Sequence, residues 1–350
     1  MFEVKRLDFP VNLMWKLKVK NMRRFQLSLF LFFVSCICMY AQKVSLKFGD
    51  EGTFKIVQFT DLHFIYQDKR SDVVLECIRN VMEAEKPDLV MLTGDVIFGK
   101  PAEKSLRTVL DLISTYEVPF GITFGNHDDE QGLNKEELMK IIKTYPYNLT
   151  ECEPGLSGST NYILPLKQKD GVKDAAVLYC FDSHSYSQLK GIDGYDYIKS
   201  DQIAWYRKKS AEFTSENGGK PLPAYAFFHI PLPEYHAAVA DENATLIGTR
   251  MEKACSPELN SGMFVAMKEA GDVKAVFVGH DHDNDYAVYW HDILLAYGRY
   301  TGGNTVYNHL SNGARIILLH QDGKSFETWI RLRGGEIINK TECPGDFIKE

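Results

Sequence analysis

Side chains of the types that can bind divalent metal ions follow five short apolar runs of this 350-residue chain, at the point where each run ends. The last run, residues 275–278, stops at Gly279 and is followed by His280 and His282. A short run of β-branched and aromatic residues that stops at a glycine is typical of a buried strand opening into a loop. Two histidines one residue apart at such a strand end can point at two neighbouring metal ions. The five ends together carry the candidate metal ligands Asp61, His63, Asp95, Asn126, His229, His280 and His282.

The candidate ligands are carboxylate, amide and imidazole groups, and no cysteine is among them. Hard and borderline ligands of this kind suit divalent Zn, Mn or Fe rather than Cu(I). Two neighbouring ions need a bridging carboxylate, and Asp95 is the natural candidate. Such a pair of ions lowers the pKa of a bridging water and clamps a phosphoryl oxygen for in-line attack by the resulting hydroxide. The pattern therefore predicts hydrolysis of a phosphate ester, with His127 beside Asn126 as a potential catalytic residue.

Strand and helix patterns alternate in the first half of the chain. Strand-like runs at 54–59, 88–92 and 119–124 are separated by helical periodicity after Ser71 and around 106–113. This order is typical of an α/β layer with largely parallel strands.

The second half has a more antiparallel character. A polar turn at 167–173 separates two strand-like pieces and predicts a hairpin. Further helices are expected at 202–213 and 258–270, and three strands at 293–297, 314–320 and 326–332. We therefore expect two sheets packed together with helices outside.

The composition, with 45% hydrophobic and 25% charged residues, is that of an ordinary globular protein. No repeat or linker divides residues 42–350, which we interpret as a single domain. Residues 1–41 carry seven Lys or Arg and two Asp or Glu, a net charge of +5. The whole chain carries −7, so residues 42–350 carry −12. This acidic balance argues against a nucleic-acid partner and disfavours a nuclease.

The N-terminal segment, residues 1–41, resembles a secretory signal. A basic region precedes residues 27–40, a run of 14 residues without a charge. A run of this length fits a signal better than a membrane-spanning helix. Cleavage after Ala41, a lipoprotein-type signal that leaves a lipid on Cys36, and an uncleaved anchor are the alternatives. We expect an exported protein, periplasmic, cell-surface or secreted, with no stable membrane span beyond a signal or lipid anchor.

Five cysteines follow the signal. Cys77 and Cys180 fall in apolar periodic segments and are expected as buried thiols. Cys152, Cys255 and Cys343 lie in loop-like sequence and could supply one disulfide, whose pairing the sequence leaves open.

The ordered set of motifs resembles that of the calcineurin-like metallophosphoesterases over roughly residues 54–300. The sequence segments around Asp95, His229 and His280 are similar to those of the branch that contains plant and fungal purple-acid-phosphatase-like proteins. The resemblance implies an α/β fold, a four-layer α/β/β/α sandwich of two mixed sheets with two divalent metal ions at the strand ends.

The resemblance also assigns the ligands. It implies that Asp61, His63 and His282 hold one metal, that Asp95 bridges, and that Asn126, His229 and His280 hold the other. His127 is then a catalytic residue that stabilises the phosphoryl oxygens or protonates the leaving group.

Residue 98 departs from the family pattern. In purple acid phosphatases the residue three after the bridging aspartate is a metal-ligating tyrosine, and here it is Phe98, so we expect no purple ferric centre. Ser/Thr phosphatases have an aspartate there that orients the catalytic histidine. Asp128 or another carboxylate is expected to take that role.

Three more residues are candidates for substrate binding: Arg299, Asp182 and His184. A structural salt bridge for Arg299 and a loop position for Asp182 and His184 are the alternatives. The expected substrate is a small phosphorylated molecule, and the sequence leaves the oligomeric state open. Phosphomonoesterase is the first hypothesis, and phosphodiesterase, a metal-binding protein without turnover and a binuclear ureohydrolase are the others.

Overall fold

The structure is a computed structural model, and it describes residues 45–348. The expected signal at residues 1–41 lies outside the described residues. Within residues 45–348, no helix has both the length and the hydrophobicity that a bilayer crossing needs.

The described residues form two mixed β-sheets. An eight-stranded sheet has the order β1-β5-β6-β7-β9-β11-β10-β8, and a six-stranded sheet has the order β14-β13-β12-β2-β3-β4. The strands are β1 (Leu46–Lys47), β2 (Thr53–Phe59), β3 (Leu89–Thr93), β4 (Phe120–Thr123), β5 (Tyr162–Lys167), β6 (Asp174–Cys180), β7 (Ala224–Phe227), β8 (Leu246–Ile247), β9 (Val273–Val278), β10 (Ala287–Trp290), β11 (Ile293–Tyr297), β12 (Gly313–His320), β13 (Phe326–Leu332) and β14 (Ile337–Cys343).

Helices cover the outer face of each sheet. They are α1 (Asp72–Glu85), α2 (Ala102–Ser114), α3 (Lys135–Ile142), α4 (Ser200–Glu216), α5 (Glu234–Ala240) and α6 (Met263–Ala270). The first three share an apolar core with the six-stranded sheet, and the last three share one with the eight-stranded sheet. The predicted four-layer sandwich is confirmed.

Burial on both faces of the strands explains the layering. In β2, Ile56 belongs to the core between the two sheets, and its neighbour Val57 belongs to the core under α1 and α2. Successive strand side chains point to opposite faces, so a continuous apolar strand must be covered on both sides. Because both sheets are packed in this way, their strand ends are rigid supports for a site.

Local signals fix the helix ends. Lys86 ends α1 in the left-handed conformation, with a φ of 48°. Asn134 begins α3 with a capping box, because its Oδ1 accepts from the Glu137 N–H and its own N–H donates to Glu137 Oε2, both at 2.9 Å. The helix expected at 258–270 is shorter and starts at Met263, since Gly262 has a φ of 82° and cannot continue a helix backwards.

The structure answers two questions about the second half that the sequence left open. β12 pairs antiparallel with β2, so β12 and the two strands after it join the sheet of the first half. The disulfide that Cys152, Cys255 and Cys343 could have supplied is absent from residues 45–348, whose five cysteines are all free thiols. Cys343 is buried at the end of β14, in the core between the sheets and not in a loop. Cys77 and Cys180 are buried, as predicted.

Candidate metal centre

The seven candidate ligands lie together where strand ends of the two sheets meet. Asp61, His63, Asp95 and Asn126 follow β2, β3 and β4 of the six-stranded sheet, and His229, His280 and His282 follow β7 and β9 of the eight-stranded sheet. All seven side chains are buried. Parallel strands bring their carboxyl ends to one edge, and two packed sheets bring two such edges together.

One group of three ligands consists of Asp61, His63 and His282. The Nε2 atoms of the two histidines lie 3.1 Å apart, and His282 Nε2 lies 3.8 Å from Asp61 Oδ1. His282 Nδ1 lies 2.9 Å from the Tyr307 carbonyl oxygen, to which it can donate. Such a hydrogen bond leaves Nε2 free to bind a metal, as second-shell partners of histidine ligands do.

The second group consists of Asp95, His229 and His280. His229 Nε2 lies 3.1 Å from Asp95 Oδ2 and 3.3 Å from His280 Nδ1. His229 Nδ1 lies 2.8 Å from the Thr93 carbonyl oxygen, so this ring also has its Nε2 free for a metal. Asp95 Oδ2 is in addition 3.7 Å from His63 Nε2, which places this carboxylate between the two groups.

Asn126 has an unsatisfied oxygen at the centre. Its Oδ1 is buried and has no hydrogen-bond partner, and its Nδ2 donates to the Tyr186 hydroxyl at 3.2 Å. A buried carbonyl oxygen without a partner is costly unless a ligand satisfies it. An oxygen, converging imidazole nitrogens and two carboxylates are a donor set that fits two divalent cations.

The electrostatics of the groups also fit cations. Burial lowers the pKa of His63 and of His280 well below the ordinary value, so both rings are neutral, as metal ligands must be. For His229, burial lowers the pKa, but the carboxylates of Asp95 and Asp61 outweigh burial and raise it to about 9. Burial raises the pKa of Asp95, but the charge of His229 outweighs burial and holds that pKa well below the usual range. A cation between Asp95 and His229 would replace the proton that they share.

Backbone geometry at the strand ends is unusual. Asp61, His63, Asp95 and His280 all have left-handed backbones, with φ values of 52°, 44°, 50° and 79°. Conformations of this kind cost free energy and are concentrated at functional sites. They persist here because the neighbouring loops bond to each other, for example through the Asp61 N–H and the Gly94 carbonyl at 3.1 Å.

Glycines before the ligands allow close approach. A side chain on Gly94, which has a φ of 89°, would meet His229 Nδ1 at 2.4 Å. A side chain on Gly125 would meet Asp95 Oδ1 at 2.1 Å. Both positions therefore require glycine for the ligands to pack as they do.

Asp128 supports the loop that carries Asp95. Its buried carboxylate accepts backbone N–H groups of Asp95, Val96, Ile97 and Gly125, at 3.1, 2.8, 3.2 and 2.8 Å. Burial and the charge of Asp95 raise the pKa of Asp128 to about 6. The carboxylate beside the ring of His127 is instead that of Glu130, with Oε2 at 2.6 Å from His127 Nδ1.

His127 lies at the edge of the centre. Its backbone N–H donates to Asp95 Oδ1 at 2.9 Å, and its ring centroid is 5.5 Å from that of His63. The side chain is 29% exposed, so a substrate can reach it. Phe98 packs edge-on against both rings, with centroid distances of 5.0 Å to His63 and 5.1 Å to His127.

The three candidate substrate-binding residues have other partners. Arg299 is buried, forms an ion pair with Asp285 and donates from Nε to the Ser311 carbonyl at 2.7 Å. This is the structural salt bridge that the sequence also allowed. Asp182 is buried and accepts from Lys135 at 3.1 Å.

His184 follows Asp182 on the loop after β6. Its Nε2 lies 2.8 Å from Gln202 Oε1, and its backbone N–H donates to Asp182 Oδ1 at 2.8 Å. The contacts of Arg299, Asp182 and His184 thus connect structural elements and do not join the ligand groups.

Sequence reasoning did not identify four residues at the rim of the centre: Glu130, Tyr186, Tyr195 and Tyr307. Tyr307 stacks on His282 with a centroid distance of 4.5 Å, and Tyr195 meets His280 edge-on at 4.2 Å. The spacing of three between His127 and Glu130 was the one available signal. The tyrosines lie on loops, where periodicity gives no signal.

Comparisons with known proteins agree with this geometry. The family model "Calcineurin-like phosphoesterase" matches residues 54–284. The chain is 33% identical to "Probable inactive purple acid phosphatase 29" of Arabidopsis thaliana, over 89% of this chain and 93% of that one. It is also 33% identical to "Phosphatase DCR2" of Saccharomyces cerevisiae, over 83% of this chain and 55% of that one.

A solved structure shares the fold. A dimetal phosphatase from Danio rerio superposes with a TM-score of 0.58, covering 83% of this chain and 98% of that one at 11% identity. The family model covers well over half of the chain, and the Arabidopsis relative is similar over nearly its whole length. The chain belongs to the calcineurin-like phosphoesterase family.

Proposed function

We propose that this protein hydrolyses phosphate monoesters at a centre of two divalent metal ions, Mn, Zn or Fe. The observation that carries the proposal is the pair of buried ligand groups with Asp95 between them and His127 beside them. Asp61, His63 and His282 would hold one ion, Asn126, His229 and His280 the other, and Asp95 both. Such ions supply a water of lowered pKa and neutralise the phosphoryl oxygens.

The side chain of His127 performs the proton transfer. Hydrolysis forms a bond from phosphorus to a water oxygen and breaks the bond to the leaving oxygen, which must take up a proton. His127 Nδ1 is engaged by Glu130, so Nε2 is the atom that gives this proton to the leaving oxygen. The proton lost by the water passes to solvent.

The buried surroundings hold the site in place for this step. Asp128 fixes the loop of Asp95 through four backbone N–H groups, and the carbonyl oxygens of Thr93 and Tyr307 fix two ligand rings. These contacts orient the ligands before substrate arrives, which is the arrangement that electrostatic catalysis requires.

A metal-binding protein without turnover is the second candidate, because the Arabidopsis relative carries the words "probable inactive" in its name. The complete set of seven buried ligand positions favours an enzyme. A small phosphorylated substrate and export by the segment 1–41, ahead of a single domain at 42–350, belong to the same proposal. The basic and apolar pattern of that segment supports export.

The test compares hydrolysis of 4-nitrophenyl phosphate and bis(4-nitrophenyl) phosphate by the metal-stripped protein reloaded with Mn, Zn or Fe. We expect turnover that metal restores, with a preference for the monoester. Asp95→Asn and His229→Ala should each lower turnover by about 10²–10³-fold or more, the scale seen when a charge-stabilising group is removed. Asp129→Asn, which removes an exposed carboxylate beside the site, is the matched control.

Three outcomes contradict the proposal in different ways. A preference for the diester would make the protein a phosphodiesterase. Two bound ions with no turnover of either ester would support the metal-binding alternative. Turnover that does not depend on metal would exclude the two-metal mechanism.

A further inference from the structure

A chain of side-chain hydrogen bonds joins His127 to Asn126 through two residues on the rim. Asn126 Nδ2 donates to the Tyr186 hydroxyl at 3.2 Å, and that hydroxyl donates to Glu130 Oε1 at 3.3 Å. The other oxygen of Glu130 lies 2.6 Å from His127 Nδ1. The path therefore runs from an asparagine amide to an imidazole, and the carboxylate of Glu130 accepts at the end of both arms.

The direction of each bond follows from the groups themselves. A carboxylate only accepts, so Tyr186 must donate to Glu130, and the tyrosine oxygen is left to accept from Asn126. The same rule makes His127 Nδ1 a donor to Glu130. The orientation of the Asn126 amide and the position of the Nδ1 proton are thus set by one connected path.

Tyr186 lies on a hairpin flap, residues 185–196, after β6. Tyr186 and Tyr195 pair across the flap and their rings stack, with a centroid distance of 5.7 Å. Tyr195 contacts the ring of His280 at 4.2 Å. The flap therefore contacts the second ligand group through Tyr195, and it contacts Asn126 and Glu130 through Tyr186.

The path has a buried end at Asn126 and an exposed middle at Tyr186 and Glu130. Asn126 is buried and its Oδ1 has no partner, whereas Tyr186 is 41% exposed and Glu130 is exposed. The buried end is one of the seven candidate ligands, and the exposed middle lies beside the partly exposed ring of His127. This path can hold the ring of His127 in place through Nδ1, and the other ring nitrogen, Nε2, stays free.

We propose that Glu130 and Tyr186 are positioning residues of the phosphoesterase site. Glu130 holds the ring of His127 through Nδ1 and leaves Nε2 free for the leaving oxygen, and Tyr186 holds the amide of Asn126 so that Oδ1 would be available to a metal ion. For Glu130, this inference rests on the proposed function. For Tyr186, it rests only on metal binding.

The first experiment uses leaving groups of different basicity on the metal-loaded full chain. A proton donor matters most when the leaving oxygen is basic, so Glu130→Gln should lower kcat for glycerol 2-phosphate about 10–100-fold, less than the roughly 10²–10⁴-fold that loss of the general acid itself would cost. For 4-nitrophenyl phosphate, whose leaving group needs no proton, kcat should fall about threefold or less, and KM should not change.

Asp129→Asn is the matched control, because it removes an exposed carboxylate next to Glu130. It should leave both substrates unaffected. Equal losses on the two substrates for Glu130→Gln, or no loss, would overturn the role of Glu130. A wild-type protein inactive on both esters would instead refute the proposed function, and the role of Glu130 in it would fall with it.

The second experiment reads metal binding and needs no turnover. Calorimetric titration of the stripped protein with Mn²⁺ should show one of two sites about tenfold weaker in Tyr186→Phe, the lower end of effects from second-shell residues. Tyr197→Phe, which removes a hydroxyl just beyond the flap, should match the wild type. Unchanged affinities at both sites in Tyr186→Phe would overturn the role of Tyr186.

Discussion

The buried ligand groups and the exposed corner around His127 are built in different ways. Each ligand follows a strand end, and backbone groups such as the Thr93 carbonyl and the N–H groups around Asp128 fix the ligands and their loops. In the corner, which consists of His127, Glu130 and Tyr186, the ring of His127 is instead held by side chains, through its contact with Glu130 and the contact of Glu130 with Tyr186. The ligand groups therefore depend on the fold, whereas the orientation of the His127 ring depends on a few side chains.

Removing the ring of His127 should distinguish the catalytic role of the corner from the metal-binding role of the ligand groups. With glycerol 2-phosphate, whose leaving oxygen needs a proton, we expect His127→Ala to lower kcat about 10²–10³-fold, within the range for loss of a general acid, while both metal ions stay bound. Turnover and metal content of the same sample check this. Loss of a metal ion in His127→Ala would mean that the corner is part of the ligand region.

Substitution of Arg299 tests whether its buried ion pair with Asp285 has a structural role. Arg299→Met leaves Asp285 buried without its partner, so the free energy of unfolding should fall by about 3–5 kcal/mol, while KM for the ester stays unchanged. Urea unfolding and steady-state kinetics measure both. A raised KM with unchanged stability would restore the substrate-binding role that the sequence suggested.

The neighbouring aspartates 128 and 129 form a matched pair. Asp128→Asn replaces an oxygen that accepts backbone N–H groups by a donor, and should lower the free energy of unfolding of the metal-free protein by about 1–3 kcal/mol. Asp129→Asn should have no effect on unfolding. Equal behaviour of the two variants in urea would show that Asp128 does not support the loop.

Of the substitutions considered, that of Phe98 is expected to change the rate least, and it has a spectroscopic readout. Phe98→Tyr places a phenol where its ring already contacts His63 and His127. We expect the iron-loaded variant to gain a visible absorption band that the iron-loaded wild type lacks. The zinc-loaded variant is the control, since Zn²⁺ is d¹⁰ and has no redox chemistry. A coloured wild type would contradict the inference drawn from Phe98.

Features of the fold and of the candidate site that have a local sequence pattern could be predicted from the sequence. The candidate ligands could be selected because apolar strands end in residue types that bind metal, and the two sheets followed from the same runs. The role of Asp128 was not predictable, because its partners are backbone N–H groups of a loop about 30 residues earlier. The contact of Glu130 with Tyr186 spans 56 residues, and no periodicity encodes it. The pairing of β12 with β2 likewise depends on the whole sandwich.

Anomalous diffraction from a crystal of the manganese-loaded protein tests the two-metal centre most directly. We expect two peaks, one bounded by Asp61, His63 and His282 and the other by Asp95, His229 and His280. Both peaks should lie within coordination distance of an Asp95 oxygen. A single peak, or peaks away from these two groups, would contradict the centre on which the proposed hydrolysis depends.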